Sequence, residues 1–449
     1  MKQKVIISAA MAAMILLPTA LRAQDLSSGY FVEDYTYRYQ MNPAFGNSQN
    51  FISMPALGNL NVGLHGNLGI SDVLYNVDGK TTTFMNPKLS SDEVLKNIND
   101  VNRIGTLDKI GILSAVFKAF GDKRRCRRQR QGARRDVQPA QERRCQQDLR
   151  DLRASGVAYG EIAFGHSRQV MKGLRVGATL KFMLGGGYMD AHMRNANLVL
   201  GENEWTVTTD ADLRSSVKGL TYKTKVNDRT GHRYVNGIDV DGTGLNGFGM
   251  ALDLGAVYET PVKGLTVSLA LLDLGFISWN NDMLATTNGE KTFTTDKYTF
   301  NADDDAPNSF SKEWDRLRDD FSAIYELDDM GDQGGRTSMP HATLNIGVQY
   351  ALPMYNKLTF GLLNTTRLAG DFTTTDFRLS ANIAPCRIFS GGVNLGVGTF
   401  GASFGWVANL HLTGFNFFLG MDRVPGKLCK QGVPLSSNAQ VTMGINFPF

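Results

Sequence analysis

The chain ends in Gln440-Val-Thr-Met-Gly-Ile-Asn-Phe-Pro-Phe449. Every second residue from Val441 onward is apolar, and the residues between are small or polar, so a strand here would have one apolar face. A final strand with this alternation and a terminal aromatic residue is typical of the signal by which outer-membrane barrels are recognised for assembly. We therefore predict Ile445, Phe447 and Phe449 as an assembly signal. The alternative is an ordinary edge strand.

The same alternation recurs earlier in the chain, in runs of about ten residues. It is clear from Gly247 to Tyr258, from His341 to Tyr350 and from Leu174 to Met183. Membrane-barrel strands need about 9–11 residues, whereas the strands of a soluble β-sandwich, the alternative fold, average about 5–6. In the run after Leu174 we predict that Leu174, Val176, Leu180 and Phe182 face lipid, and that Arg175, Thr179 and Lys181 face the lumen.

Short and long connections alternate between the runs. Turns near residues 169–176, 258–267 and 350–360 are short, and the polar stretches near 188–245 and 280–338 are predicted to be long external loops. Ser90-Ser-Asp-Glu93 resembles a capping box, and an apolar stripe within 311–327 has helical spacing. The predicted fold is an all-β antiparallel transmembrane barrel of about 12–14 strands, with two short helices and an N-terminal segment that resembles a plug.

Residues 1–23 have the order of a secretory signal peptide. Lys2 and Lys4 precede an apolar run that ends near Leu21-Arg22-Ala23, so we expect cleavage after Ala23. The alternative is a single membrane anchor, but the run is short of the roughly 20 apolar residues that such a helix needs. We expect export to the cell outer membrane.

The net charge of +4 does not indicate a nucleic-acid partner. The basic excess lies in residues 1–23 and in 121–153, and the rest of the chain is acidic. Of the four cysteines, Cys386 and Cys429 could form a disulfide in an oxidising compartment or remain unpaired thiols.

None of the sequence motifs that suggest catalysis or ligand binding lies in the structural context that such a motif requires. Gly396-Val-Gly-Thr-Phe-Gly401 matches a dinucleotide fingerprint, but strand-like residues follow it where a helix is needed. Asp239-Val-Asp-Gly242 has its glycine too early for a calcium loop, so a surface calcium ion is a minor alternative. The six histidines show no metal spacing. We predict no catalytic, metal or cofactor-binding residues, and no enzyme activity.

Five segments resemble exported Bacteroidota proteins classed as domain of unknown function 5723. They are Ser27-Ser-Gly-Tyr-Phe-Val32, Tyr37-Arg-Tyr-Gln-Met-Asn-Pro-Ala-Phe45, Phe51-Ile-Ser-Met-Pro55, Leu57-Gly-Asn-Leu-Asn-Val62 and Glu161-Ile-Ala-Phe-Gly-His-Ser-Arg168. The resemblance implies an outer-membrane barrel over 60–449, distantly similar to FadL-type channels for hydrophobic compounds and to the PorV barrel of type IX secretion. It also implies that residues 24–59, with Asn42, Pro43 and Ala44, enter or plug the barrel.

Residues 121–153 depart from the barrel pattern. Lys123-Arg-Arg-Cys-Arg-Arg-Gln-Arg-Gln131 lies between two segments that read as strands. A surface loop that binds lipopolysaccharide phosphates is one interpretation. We prefer a local reading-frame error, and we expect a loop or a poorly defined helix here, with a strand pair missing or badly paired.

The sequence favours two functions over a third, which is enzyme activity. The first is a FadL-like channel for apolar or small solutes. The second is a barrel without transport that holds a secretion-system or surface protein, as PorV-type barrels do. The predicted partners are outer-membrane lipid, the barrel-assembly machinery and such a protein, with no nucleic acid.

Overall fold

The computed structural model describes residues 26–46, 49–55, 57–66, 74–77, 80–83, 104–110, 115–116, 122–130, 145–200, 205–226, 231–242, 244–287, 327–369, 373–424 and 439–449. Their strands, in chain order, are β1 (Phe51–Ser53), β2 (Leu60–Gly66), β3 (Leu74–Val77), β4 (Lys80–Thr83), β5 (Ile104–Ile110), β6 (Ala115–Val116), β7 (Asp122–Arg130), β8 (Cys145–Met171), β9 (Leu174–Leu200), β10 (Trp205–Val217), β11 (Leu220–Val226), β12 (Arg233–Val240), β13 (Gly247–Glu259), β14 (Leu265–Trp279), β15 (Met283–Thr286), β16 (Asp328–Asp332), β17 (Arg336–Ser338), β18 (Ala342–Ala351), β19 (Leu358–Leu368), β20 (Thr374–Ile383), β21 (Phe389–Gly398), β22 (Gly401–Leu412), β23 (Phe415–Arg423) and β24 (Ala439–Pro448).

Fourteen of these described strands form one antiparallel wall. Along the wall the order is β7, β8, β9, β13, β14, β18, β19, β20, β21, β22, β23, β24, β2 and β5. The predicted all-β antiparallel architecture is confirmed. The sheet is not closed: β5 and β6 approach β7, but no hydrogen-bonded ladder joins them within the described residues.

The two faces of the wall have opposite chemistry. Asn345, Asn394, Asn409 and Asn446 are buried on the inner face. Large apolar side chains are exposed on the outer face, among them Leu269, Ile346, Phe360, Leu379, Leu395, Phe404 and Leu410. A soluble β-protein places its apolar face inside, so this inversion is the pattern of a wall that meets lipid. Burial along β9 follows the predicted faces at Thr179 and Lys181, which are buried, and at Val176 and Leu180, which are exposed, whereas Arg175 at the start of the strand is exposed.

One end of the wall is made of short turns. The connections 172–173, 260–264, 352–357, 384–388 and 413–414 all lie there, and we call this the short-turn end. The C-terminus lies at the same end, because Asn416 pairs with Asn446 directly after the turn at 413–414. The three predicted short turns are therefore confirmed.

The long polar stretches at the opposite end are not simply loops, and this part of our prediction is wrong. The second half of β9, residues 187–200, remains paired with residues 145–158 of β8, but on its other side β10 takes the place of β13, and β10 also pairs with β15. The hairpin of β11 and β12 stands beside them. We call β10, β11, β12, β15 and β16 the outer strands. Burial does not alternate regularly along β12, β15 and β16, so a period-two pattern does not mark them in the sequence.

The arginine-rich segment also differs from its prediction. Residues 122–130 form a strand paired with residues 158–166 of β8, rather than a loop or poor helix, because the backbone ladder of β8 accepts any side chain. The opening of the sheet nevertheless lies beside this strand, which agrees with the expected missing strand pair. Cys386 is a free, exposed thiol. The predicted helix near 90–101, the predicted helix within 311–327 except for its last residue, and Cys429 lie outside the described residues.

Three short helical segments precede the first strand. They are a 3-10 helix at Ser27–Gly29, α1 at Arg38–Met41 and a second 3-10 helix at Pro43–Phe45. None of the helices in the described part of the chain is long and apolar enough to cross a membrane.

Candidate functional site: the N-terminal segment inside the wall

Residues 26–46 form a compact segment that lies against the inner face of the wall. Their side chains make an aromatic core of Leu26, Tyr30, Phe31, Val32, Tyr35, Tyr37, Tyr39 and Met41, which packs on Leu363, Val407 and Phe418 of the wall. The rings meet edge to face, with centroids 5.0 Å apart for Tyr35 and Phe418. The segment therefore brings its own hydrophobic core into a lumen whose wall is largely polar.

Two wall glycines receive the Asn42-Pro43-Ala44 sequence. Gly177 of β9 and Gly255 of β13 are directly opposite each other in the ladder. A Cβ atom at Gly255 would lie 2.1 Å from Asn42 Oδ1, and one at Gly177 would lie 2.4 Å from the Pro43 carbonyl carbon. Any larger residue would push the segment off the wall. We call this pair the glycine notch.

Asn42 fastens the segment at the notch. Its side-chain oxygen accepts a hydrogen bond from the Ala44 amide at 2.9 Å, which begins the second 3-10 helix. Its side-chain nitrogen donates to the carbonyl oxygens of Ala256 and Leu269, at 3.3 and 3.2 Å. The predicted residues Asn42, Pro43 and Ala44 thus lie together, buried, against strands β9, β13 and β14.

Amide side chains of the wall hold the rest of the segment. Asn345 donates to the Met41 carbonyl oxygen at 2.9 Å, and Asn409 donates to the Asp34 carbonyl oxygen at 2.9 Å. Tyr37 donates to Asn446 Oδ1 at 2.7 Å, and Asn416 donates to Thr36 Oγ1. These four asparagines lie on four different strands, so contacts around much of the wall converge on the segment.

The start of the segment is held by a carboxylate. Asp422 of β23 accepts hydrogen bonds from the amides of Ser27 and Ser28, both at 2.7 Å, and from the Ser28 hydroxyl at 2.6 Å. Arg378 lies beside this carboxylate and also pairs with Asp376 at 2.7 Å. Hydrogen bonds to a charged acceptor are about twice as strong as neutral ones, so Asp422 is the firmest attachment point at this end.

A separate ionic group lies in the wall on the other side of the notch. Lys181 is 2.7 Å from Asp253 and 2.5 Å from Asp273, and the three come from β9, β13 and β14. Asp273 has a φ of 60° at an irregularity in the β13–β14 register, a conformation that short polar side chains tolerate. Paired buried charges of this kind fix geometry, and nothing else in their arrangement points to catalysis.

Sequence reasoning placed the Asn-Pro-Ala sequence in the segment but found none of its wall partners. The glycine notch, the four asparagines and Asp422 are scattered over more than 260 positions, from 177 to 446. Only their inward position on alternating strands marks them. In the described residues no group of His, Cys, Asp and Glu could hold a metal ion.

Comparisons with known proteins give the following likenesses. The chain is similar to a FadL homologue of Pseudomonas aeruginosa, with 10% identity, a TM-score of 0.43 and coverage of 96% of this chain and 97% of that chain. It is similar to the toluene transporter TodX of Pseudomonas putida, with 8% identity, a TM-score of 0.37 and coverage of 97% and 95%. A mutant porin of Rhodopseudomonas blastica has 11% identity, a TM-score of 0.21 and coverage of 66% and 91%. A comparison with curated proteins finds no match.

One family model covers most of the chain. It begins at Pro43 of the Asn-Pro-Ala sequence and ends at Asp422, which holds Ser27 and Ser28. The match spans residues 43–422. The chain belongs to the family of unknown function DUF5723.

Proposed function

We propose that this protein is an outer-membrane channel for apolar or small solutes, and that its plug is residues 26–46, within the 24–59 segment that the family resemblance implied. Residues 51–53 of that segment form β1, which pairs with β24. The main observation behind the proposal is the way in which residues 26–46 are attached to the wall. None of these described residues is in a strand, and the wall holds them through side chains and glycine-sized recesses. Such a segment can shift without breaking any backbone ladder of the barrel, which is what a plug in a channel requires.

The apolar outer face supports the membrane location. Transmembrane barrels carry an outward apolar band, short periplasmic turns and longer structure outside the cell. The wall has this asymmetry, with the outer strands at one end and the short turns at the other. We therefore place the short-turn end in the periplasm and the outer strands outside the cell.

The test is solute entry into proteoliposomes with a displaced plug. We would compare the full chain with the double variant Gly177→Val, Gly255→Val, which fills the glycine notch. Swelling in a small sugar and uptake of a monoaromatic hydrocarbon, the solute class named for the TodX neighbour, are the two readouts. We expect the variant to admit solutes several-fold faster, because its plug no longer seats.

Gly237→Val on β12 is the matched control. A Cβ atom there would meet only Lys223 Cβ, at 3.9 Å, so the larger residue has room and should leave entry unchanged. If the notch variant folds, shown by an unaltered heat-induced shift in gel mobility, and yet admits neither solute, the channel proposal is wrong.

The outer strands favour a second candidate, a barrel that holds a secretion-system or surface protein. Beyond the wall they form a second structure that begins near Tyr188 of β9, and Tyr222 fixes the β11–β12 hairpin to it. The Tyr222 hydroxyl donates to the Met283 carbonyl oxygen at 2.9 Å, and burial raises the pKa of Tyr222 to about 12, so the donor stays protonated. A hydrogen-bonded platform of this kind suits a protein partner.

Crosslinking in intact envelopes followed by purification of the barrel tests this second candidate. Recovery of one stoichiometric partner from wild-type cells, lost when residues 220–240 are replaced by a short turn, would support it. A barrel recovered alone under both conditions would count against it. In either case we propose no catalytic role.

A further inference from the structure

Four of the five turns at the short-turn end share a composition that the plug and the channel do not explain, and the fifth, Thr413-Gly414, has no basic residue. Each of four turns carries one exposed basic residue: Lys172, Lys263, Lys357 and Arg387. Each also has a large exposed apolar side chain within the turn or directly beside it: Met171, Val262, Met354 and Ile388. Met354 is 95% exposed. None of these four described turns contains an acidic residue, and Glu259, the last residue of β13, directly precedes one of them.

The four turns are consecutive along the rim. The Glu259 amide donates to the Gly173 carbonyl oxygen at 2.7 Å, and the Ala351 amide donates to the Gly264 carbonyl oxygen at 2.8 Å. The Ala384 amide donates to the Lys357 carbonyl oxygen at 2.9 Å. Neighbouring turns are two strands apart, so one cation and one apolar side chain recur about every 10 Å. We call this repeated edge the basic collar.

Outward aromatic residues lie just above the basic collar. Tyr258, Tyr350 and Phe360 are exposed on the outer face at the ends of β13, β18 and β19. Aromatic side chains of this kind mark the level of lipid headgroups in membrane proteins. The basic collar therefore lies at, or just beyond, the headgroups of the adjacent leaflet. An exposed apolar residue is costly in water but is stable among headgroups and acyl-chain ends.

We propose that the basic collar binds the phosphates of anionic phospholipids in the periplasmic leaflet. Each lysine or arginine attracts an anionic headgroup, and the apolar side chain beside it enters the membrane interface. Because the turns repeat along the rim, several lipids are held at once. The proposal rests on the membrane location proposed above, and it is independent of whether a solute passes.

The test is lipid binding by the full chain in detergent, followed by native mass spectrometry. The probes are phosphatidylglycerol and phosphatidylcholine of equal chain length, and soluble glycerol phosphate. The collar variant replaces Lys172, Lys263, Lys357 and Arg387 with Gln. We expect wild type to prefer phosphatidylglycerol, and the collar variant to bind it about tenfold less tightly, as the loss of several interfacial cations predicts.

Two matched variants test whether lipid preference depends on the positive charges of the basic collar rather than on positive charges elsewhere in the protein. Lys172→Arg, Lys263→Arg and Lys357→Arg together keep the cations and should keep the preference. Replacing Lys218, Lys223, Lys225 and Arg233 with Gln removes four exposed cations near the outer strands and should also leave it unchanged.

Three results would overturn the proposal. The first is equal phosphatidylglycerol binding by wild type and the collar variant. The second is binding of glycerol phosphate as tight as that of the lipid, which would indicate a soluble-phosphate site. The third is unchanged lipid binding together with loss of a crosslinked acidic periplasmic protein, which would indicate a protein partner. The proposal is still supported if the wild-type chain admits no solute, provided that the collar variant loses lipid binding.

Discussion

A methyl group at Gly255 would lie 2.1 Å from Asn42 Oδ1, so the identity of one wall residue decides whether the Asn-Pro-Ala sequence can seat. Gly361 and Gly420 have the same relation to Phe31 and Leu26. Part of the high glycine content follows from this, because each recess admits a plug side chain that a Cβ atom would exclude. The sequence showed glycines in the wall, but it could not show which of them face the plug.

Asp422 provides the sharpest test at the scale of single residues. Its carboxylate accepts three hydrogen bonds from Ser27 and Ser28 and lies beside Arg378. Asp422→Asn removes the charge and turns one acceptor into a donor, so we expect the free energy of unfolding to fall by about 2 kcal/mol. The amides of Ser27 and Ser28 should exchange hydrogen faster.

Asp239→Asn is the matched control for that change. Asp239 lies outside the wall and pairs with Lys223 at 3.1 Å, but both side chains are more than half exposed. Exposed pairs contribute little, so unfolding should be almost unchanged. Equal behaviour of the two variants in urea titrations would show that Asp422 does not hold the plug.

At the scale of elements, β9 shows where period-two reasoning works and where it stops. From Leu174 to Gly185 it pairs with β13, and from Val176 onward the predicted faces agree there with the observed burial. From Gly187 onward β10 takes the place of β13, while β8 remains the other neighbour. Apolar and polar side chains alternate where the two faces of a strand have different surroundings. The alternation is lost where both faces have similar surroundings. For this reason the polar stretches after residue 188 looked like loops.

Leu180→Arg tests the outward face of β9. Leu180 is exposed on the wall, near the middle of the residues that pair with β13. An arginine at mid-bilayer in a barrel costs about 2–4 kcal/mol, and we expect that loss in unfolding measured in lipid vesicles. Val226→Arg on β11, an equally exposed apolar position beyond the wall, should cost almost nothing. A neutral Leu180→Arg variant would mean that this face does not meet lipid.

At the scale of the whole molecule, the C-terminal strand links assembly to architecture. The side chains of β24 alternate as expected, with Gln440, Thr442 and Asn446 buried and Val441, Phe447 and Phe449 exposed. β24 also joins the two halves of the wall, because it pairs with both β23 and β2. A strand in this position must be placed before the chain can form a barrel.

Deletion of Phe449 tests its role as part of the assembly signal. We expect less protein in the outer-membrane fraction and more in the periplasm, because residues 1–23, which we predict to be the signal peptide, are unchanged. Deleting Pro448 in place of Phe449, which keeps the terminal aromatic residue, is the control for chain length. Normal outer-membrane levels of the Phe449 deletion would show that the terminal residue is not part of the signal.

At this scale, the opening of the sheet beside β7 conflicts with a membrane barrel. Successive residues of any strand take opposite faces, and in the sequence of β7 arginine occurs at both even and odd positions, for example Arg124 and Arg128 against Arg125 and Arg127. Whichever set meets lipid would cost about 2–4 kcal/mol for each arginine near the midplane. No choice of register removes this cost.

We propose that residues from about 122 to 150 are encoded in the wrong frame. Arginine is usually encoded by C-G-N, and reading one base later turns successive arginine codons into G-N-C, which encode Val, Ala, Asp or Gly. Arg124 to Gln131 then admits Val-Asp-Val-Asp-Val-Asn-Val-Lys, which alternates as a wall strand does. Such a strand could pair with β5 and close the wall. Resequencing the gene tests this: we expect two compensating frame changes that flank the segment. An intact frame, with codons from Arg124 to Gln131 that cannot yield the alternation, would leave the open edge as a true property of the protein.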